Sequence, residues 1–184
     1  MEVIQITQEH RDFIAQYAPN QDIGGFSNLS THDLGKATRH DFQLTGIAGE
    51  LAWYLYRYGT YDKLKDLLDQ KFAELRPQRK GDNGLDDIIT HKGTTRYVDI
   101  KSSHVTNHDK IPRLNLVIPE REFHQKMIYV CAFTVGQDRS NVEEVVLAGW
   151  CANEHVHKRW KYDPNKYCVP VDELRDLTII KKIL

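Results

Sequence analysis

Residues 81–103, GDNGLDDIITHKGTTRYVDIKSS, decide how this chain is read. Two strand-like runs, 88–90 and 96–102, flank a turn at His91, Lys92 and Gly93, where the glycine tolerates the positive φ that a short hairpin loop requires. The stretch therefore predicts a β-hairpin. Along its second run Val98 and Ile100 point to one face and Asp99 and Lys101 to the other, because side chains alternate on a strand. An acid and a lysine thus leave together from a strand whose opposite face is apolar. Two more acids, Asp86 and Asp87, open the first run, so the hairpin can gather carboxylates from both runs in one place.

Upstream, residues 7–17 carry Phe13, Ile14 and Tyr17 at helical spacing, and residues 20–34, rich in Asn, Gly, Ser, Thr and Asp, read as a loop. Residues 35–58 predict a long or broken helix with Ile47, Leu51, Tyr54 and Leu55 on one stripe. Within it Glu50 is surrounded by Ala48, Gly49 and Ala52, small neighbours that let another backbone or a ligand approach. Lys36, Arg39 and His40 form a small basic cluster before it. Residues 61–75 predict a further helix with a leucine-rich core stripe, ended by Pro77 in the basic connection 76–80.

Downstream, residues 115–118 read as a strand, and residues 127–135 form the most apolar run in the chain, whose continuity implies burial on both faces. Further strands are expected at 145–150 and 167–169. A short helix is expected over 153–159 with Asn153 as its N-cap, and another short helix or turn over 171–177 before a basic and apolar tail. His91 and His124 are read as structural or surface residues, and Trp150, Trp160 and Tyr162 as core or rim. Helices first, then five or six strands, predict a layered α/β or α+β domain with a mixed sheet.

The chain has 184 residues, which fits a single domain with a substantial core, and its net charge of -1 confines any basic surface to local patches. The three cysteines, Cys131, Cys151 and Cys168, are odd in number and set in apolar runs, so free buried thiols are expected, and no zinc-ligand spacing occurs. The N-terminal residues contain no long apolar run. A cytoplasmic protein is the expectation.

The chemistry of Glu50, Asp86 or Asp87, Asp99 and Lys101 points to a divalent cation. Mg²⁺ takes hard oxygen ligands and usually only one or two carboxylates, leaving waters and substrate phosphate oxygens to complete its octahedron. The main-chain carbonyl of Ile100, between two inward side chains, is a further candidate oxygen. Lys101 is placed to position or deprotonate a water, or to neutralise charge on phosphorus. Ser102, Ser103, His104, Lys110 and Arg113 follow as candidate phosphate contacts.

Glu50 in GIAGELAWY, Asp86-Asp87 in GLDDII and Asp99-Ile100-Lys101 in YVDIKSS resemble the motif set of the PD-(D/E)xK nuclease superfamily, over residues 46–103. The resemblance implies a restriction-endonuclease-like fold and a Mg²⁺-dependent DNA endonuclease, with Mn²⁺ as a substitute and a homodimer where both strands of a duplex are cut. It further implies that Glu50, Asp87 or Asp86, and Asp99 support the metal while Lys101 serves the water. The proline of the motif is missing here. Asp87 is the first choice because Ile88 and Ile89 follow it; Asp86 takes its place if the register shifts by one, and Asp82 is a remote third. The alternatives are a structure-specific or end-processing nuclease, such as a resolvase or exonuclease, and an inactive DNA-binding subunit of the same fold.

Overall fold

The computed structural model describes residues 1–18, 39–74 and 86–183. The expected loop at 20–34, the lysine at 36, the connection 76–80 and Asp82 lie outside them. The described elements make a mixed α/β architecture whose centre is a five-stranded mixed sheet in the order β1-β6-β5-β3-β2. Its strands are β1 (Glu2–Gln5), β2 (Asp87–His91), β3 (Thr94–Val105), β5 (Met127–Gly136) and β6 (Val142–Ala152). All pairs are antiparallel except β3 with β5. A second sheet places β8 (Asp163–Pro170) between β4 (Asn115–Pro119) and β7 (Arg159–Trp160). Among the described residues, helices α1 (Gln8–Tyr17), α2 (Arg39–Tyr58), α3 (Asp62–Glu74) and α4 (Leu177–Ile183) accompany the sheets.

The central sheet separates two apolar clusters. On one face Val98, Ile100, Val130, Ala132 and Leu147 pack against Leu51, Trp53 and Ala48 of α2, Phe13 and Ile14 of α1, and Ile180 of α4. On the other face Tyr129, Cys131, Phe133 and Val146 pack against Leu116, Ile118 and Val169 of the second sheet. Strand β5 is buried along its whole length because it lies between these layers, which explains its unbroken apolar run. The three cysteines are free and buried, and burial raises the thiols of Cys131 and Cys151. None of the described helices is long and apolar enough to cross a membrane.

The hairpin forms where the sequence predicts it. His91 pairs with Thr94, and the two loop residues Lys92 and Gly93 have φ of 46° and 77°, the left-handed pair that suits the twist of adjoining strands. The expected helix over 153–159 is absent. A single 3₁₀ turn, Asn153–His155, has Ala152 at its cap with no side-chain hydrogen bond, and the chain then enters β7. Pairing with β8 overrides the local capping signal. At the C-terminal end, a 3₁₀ turn at Val171–Glu173 precedes α4, which begins at the last residue of the expected helix. Strand β1 was not anticipated; its four residues are held by pairing to β6.

Candidate functional site

Strand β3 is longer than the partner that covers it. Strand β2 pairs with β3 only as far as Asp87 opposite Val98, and among the described residues no strand pairs with the outer edge of β3 beyond that point. Asp86, Asp99 and Lys101 lie beside this edge, and Asp87 does not.

Register settles where each aspartate goes. Directly opposed residues of an antiparallel pair share a face, so Asp87 lies with Val98 on the helical side. There its carboxylate accepts hydrogen bonds from Trp53 Nε1 at 2.8 Å, Tyr58 Oη at 3.1 Å and the Ile88 amide at 2.8 Å, and it pairs with Arg57. Both side chains of that ion pair are 9% exposed. Asp87, the first choice from sequence, is thus enclosed by α2 and fastens the hairpin to it. Asp86, one residue earlier, turns to the open edge: its Oδ2 accepts the Ile100 amide at 2.7 Å, its own amide donates to the Val98 carbonyl at 2.9 Å, and its carbonyl accepts from Tyr54 Oη at 2.8 Å. The N–H and C=O of a strand residue leave on the same side, so the Ile100 carbonyl looks out over the same edge as Asp86.

Asp99 and Lys101 stand on the face opposite the helices, as alternation requires. Asp99 is 1% exposed. Lys101 Nζ lies 2.7 Å from Asp99 Oδ2 and 2.6 Å from Glu122 Oε2, so one ammonium is shared by two carboxylates. Burial, reinforced by the charge of Asp86 and opposed by Lys101, pushes the Asp99 carboxyl up to about 7. Burial would lower the Lys101 ammonium, but Asp99 and Glu122 outweigh it and raise the lysine. Glu122 moves the other way: despite burial, Lys101 and Arg121 hold it below the usual carboxylate range. Burial thus outweighs the lysine at Asp99, whereas the neighbouring cations outweigh burial at Glu122. Glu122 sits in a single 3₁₀ turn with no periodic or spacing signal, and sequence reasoning missed it.

Glu50 lies in α2, on the helical side of the sheet, where its charge acts on Tyr54. Its neighbour Gly49 lies against β3 so closely that a Cβ there would come within 1.9 Å of Ser102 Oγ, which places this turn of α2 directly over the strand. Tyr54 follows Glu50 by one turn and bonds to Asp86. Burial raises the Tyr54 phenol, and the charges of Asp87, Glu50 and Asp86 raise it further, so all three acids act on one side chain. Among the described residues, no three His, Cys, Asp or Glu side chains are grouped to hold a metal ion by themselves.

Of the expected phosphate contacts, Ser103, Lys110 and Arg113 are exposed, while His104 bonds Thr134 Oγ1 at 3.1 Å through Nδ1. A cleft of about 340 Å³ runs from Lys101 and Ser103 past Glu122 to Asn115, Trp160 and Lys166 of the second sheet. A second of about 520 Å³ continues along β3 through His104 and Thr106 to Lys110, sharing Asn115 and Trp160. A third cavity, of about 410 Å³, lies apart from these carboxylates between the hairpin, Trp150 and Arg175. In comparison with known proteins, the chain matches no family model, no curated protein and no solved structure.

Proposed function

We propose that the protein is a Mg²⁺-dependent DNA endonuclease of PD-(D/E)xK type, with Asp86, Asp99 and Lys101 at the centre of its site. The observation that supports this most is the meeting of two buried carboxylates and an ammonium at a strand edge that no other described strand pairs, beside a main-chain carbonyl facing outward. These donors suit Mg²⁺: two carboxylates and a carbonyl are hard oxygens in a number that leaves room for water and a phosphate oxygen. Burial disfavours the charged form of Asp99, a cost that a bound cation would offset. When bound there, the cation would polarise a phosphodiester and its attacking water.

The chain's own residues supply the rest. Asp86, Asp99 and the Ile100 carbonyl would hold the ion, with Glu50 supporting from the helical side and Asp87 structural. Lys101 has a raised pKa and stays an ammonium at neutral pH, so it orients the water and offsets charge on the phosphoryl oxygens rather than taking a proton. A water oxygen forms a new bond to phosphorus as the bond to one sugar oxygen breaks, and the water's proton passes to solvent or to the leaving oxygen. Cutting both strands of a duplex would require two copies acting together, since one site severs one strand. Soluble, cytoplasmic action belongs to the same proposal.

One observation favours a second reading. Lys101 already bridges Asp99 and Glu122, as it would in a non-catalytic DNA-binding subunit whose site is held together by an internal cation. Mixing the purified protein with supercoiled, linear, single-stranded and branched DNA, with Mg²⁺ or Mn²⁺, separates the two. Cleavage of any form that EDTA stops supports the nuclease; binding without cleavage under every metal condition supports the subunit.

A further inference from the structure

The segment 157–167, HKRWKYDPNKY, has four lysines or arginines, three large aromatic residues and one acid. In the fold it is the β7–β8 hairpin, with Trp160 paired to Asp163 and Lys161 and Tyr162 at the tip. Tyr162 is 71% exposed and Trp160 is half-buried, their rings 5.5 Å apart and nearly perpendicular. Lys161 Nζ lies 4.7 Å from the Tyr162 ring centre and Lys166 Nζ 5.5 Å from that of Trp160. Trp160 and Lys166 also wall the cleft that contains Lys101 and Glu122, and Trp160 walls its continuation toward Lys110. An exposed tyrosine at a hairpin tip gains nothing for the core, and an aromatic pair with one ammonium beside each ring suits a ligand with flat rings and regularly spaced negative charge.

We infer that the β7–β8 hairpin is a stacking platform for single-stranded nucleic acid, on which unpaired bases rest against Trp160 and Tyr162 while their phosphates follow Lys161 and Lys166 into the cleft toward Lys101, with Lys110 along its continuation. This deepens the nuclease reading, on which its orientation toward the cleft rests, by giving the substrate class: a strand end, flap or unpaired stretch rather than continuous duplex. Base-to-aromatic stacking is tolerant of sequence, because every base presents a π-face, and duplex bases are already stacked on each other. A protein with a net charge of -1 cannot rely on general attraction to a polyanion, so a local platform of this kind carries the grip.

Tryptophan fluorescence tests this directly. Trp53 and Trp150 are buried, at 0% and 5% exposure, so of the three tryptophans only Trp160 is open to an added oligonucleotide. The full-length protein is titrated in EDTA, where cleavage is absent, with oligo(dT), oligo(rU) and a duplex of equal length. Oligo(dT) should quench the emission and bind at least about tenfold more tightly than duplex, the size of one stacked base. Tyr162→Ser, a change at an exposed tip, should weaken that binding about tenfold with an unchanged melting curve, and Trp160→Leu should remove the quench. Comparable binding of oligo(rU) supports base stacking with no sugar preference. Equal or tighter binding of duplex, or unchanged affinity in Tyr162→Ser, overturns the platform. Cleavage that survives with no dependence on the hairpin would reject the platform alone, and hairpin-dependent binding with no cleavage would reject the nuclease reading alone.

Discussion

Asp86 accepts the amide of Ile100 at 2.7 Å across the end of the hairpin, so a carboxylate from the residue before β2 caps the edge of β3. Its neighbour Asp87 does unrelated work on the opposite face, and the two should respond differently to substitution. Asp87→Ala strips a nearly buried Arg57 of its partner and should cost about 3–5 kcal/mol in urea unfolding. Asp86→Asn keeps an oxygen acceptor for Ile100 and removes a like charge from Asp99, so its cost should stay below about 1 kcal/mol while cleavage is lost. Equal destabilisation by the two changes would contradict these separate roles.

Gly49 is where α2 touches β3. Alanine there drives a methyl into Ser102 Oγ and should destabilise by about 1–3 kcal/mol through overpacking. Adding Ser102→Gly to Gly49→Ala should recover most of the loss. Thermal melts of the single and double variants check this, and a double variant no better than Gly49→Ala would show that the contact is not the cause.

Asp99 should make metal-free stability depend on pH. Its carboxyl is pushed up from 3.8 to about 7 in the folded protein. Between those values the folded chain holds a proton that the unfolded chain has released, so the contribution of Asp99 to stability is greatest in acid. It declines as pH rises through that window and levels off above about 7. Urea midpoints of the parent and of Asp99→Asn, compared from pH 5 to 8 in EDTA, isolate the effect from other groups. The parent should lose ground to the variant as pH rises; parallel curves would refute the displacement.

Lys101→Met should lower cleavage by about 10²–10³-fold, the scale of losing one aligned donor, and leave Asp99 and Glu122 facing each other without a cation. Glu122→Gln should preserve cleavage, because it frees Lys101 for Asp99. Single-turnover rates on one labelled oligonucleotide compare the two, and a larger loss in Glu122→Gln than in Lys101→Met would reverse the assigned roles.

The hairpin and the doubly buried β5 were legible because period-two alternation, a Lys-Gly turn and an unbroken apolar run each have one physical reading. Which face each of Asp86 and Asp87 takes was not, since a shift of one residue in register exchanges the faces, and only pairing with Val98 fixes it. Glu122 was illegible for a different reason: it reaches Lys101 from a lone 3₁₀ turn 21 residues away, with no pattern in the chain to mark it. Residues 153–159 misled because Asn153 resembles a cap, whereas backbone pairing to β8 was worth more than the local helical preference.

The most direct measurement is the digestion of single-stranded and flapped DNA by the parent and by Asp99→Asn, side by side with Mg²⁺ and Mn²⁺, with both proteins shown to melt cooperatively. The parent should cleave in a manner that EDTA stops, and Asp99→Asn should leave the DNA intact. Asp99→Asn cutting as fast as the parent, or a parent that cuts none of these substrates with either metal, would contradict the account.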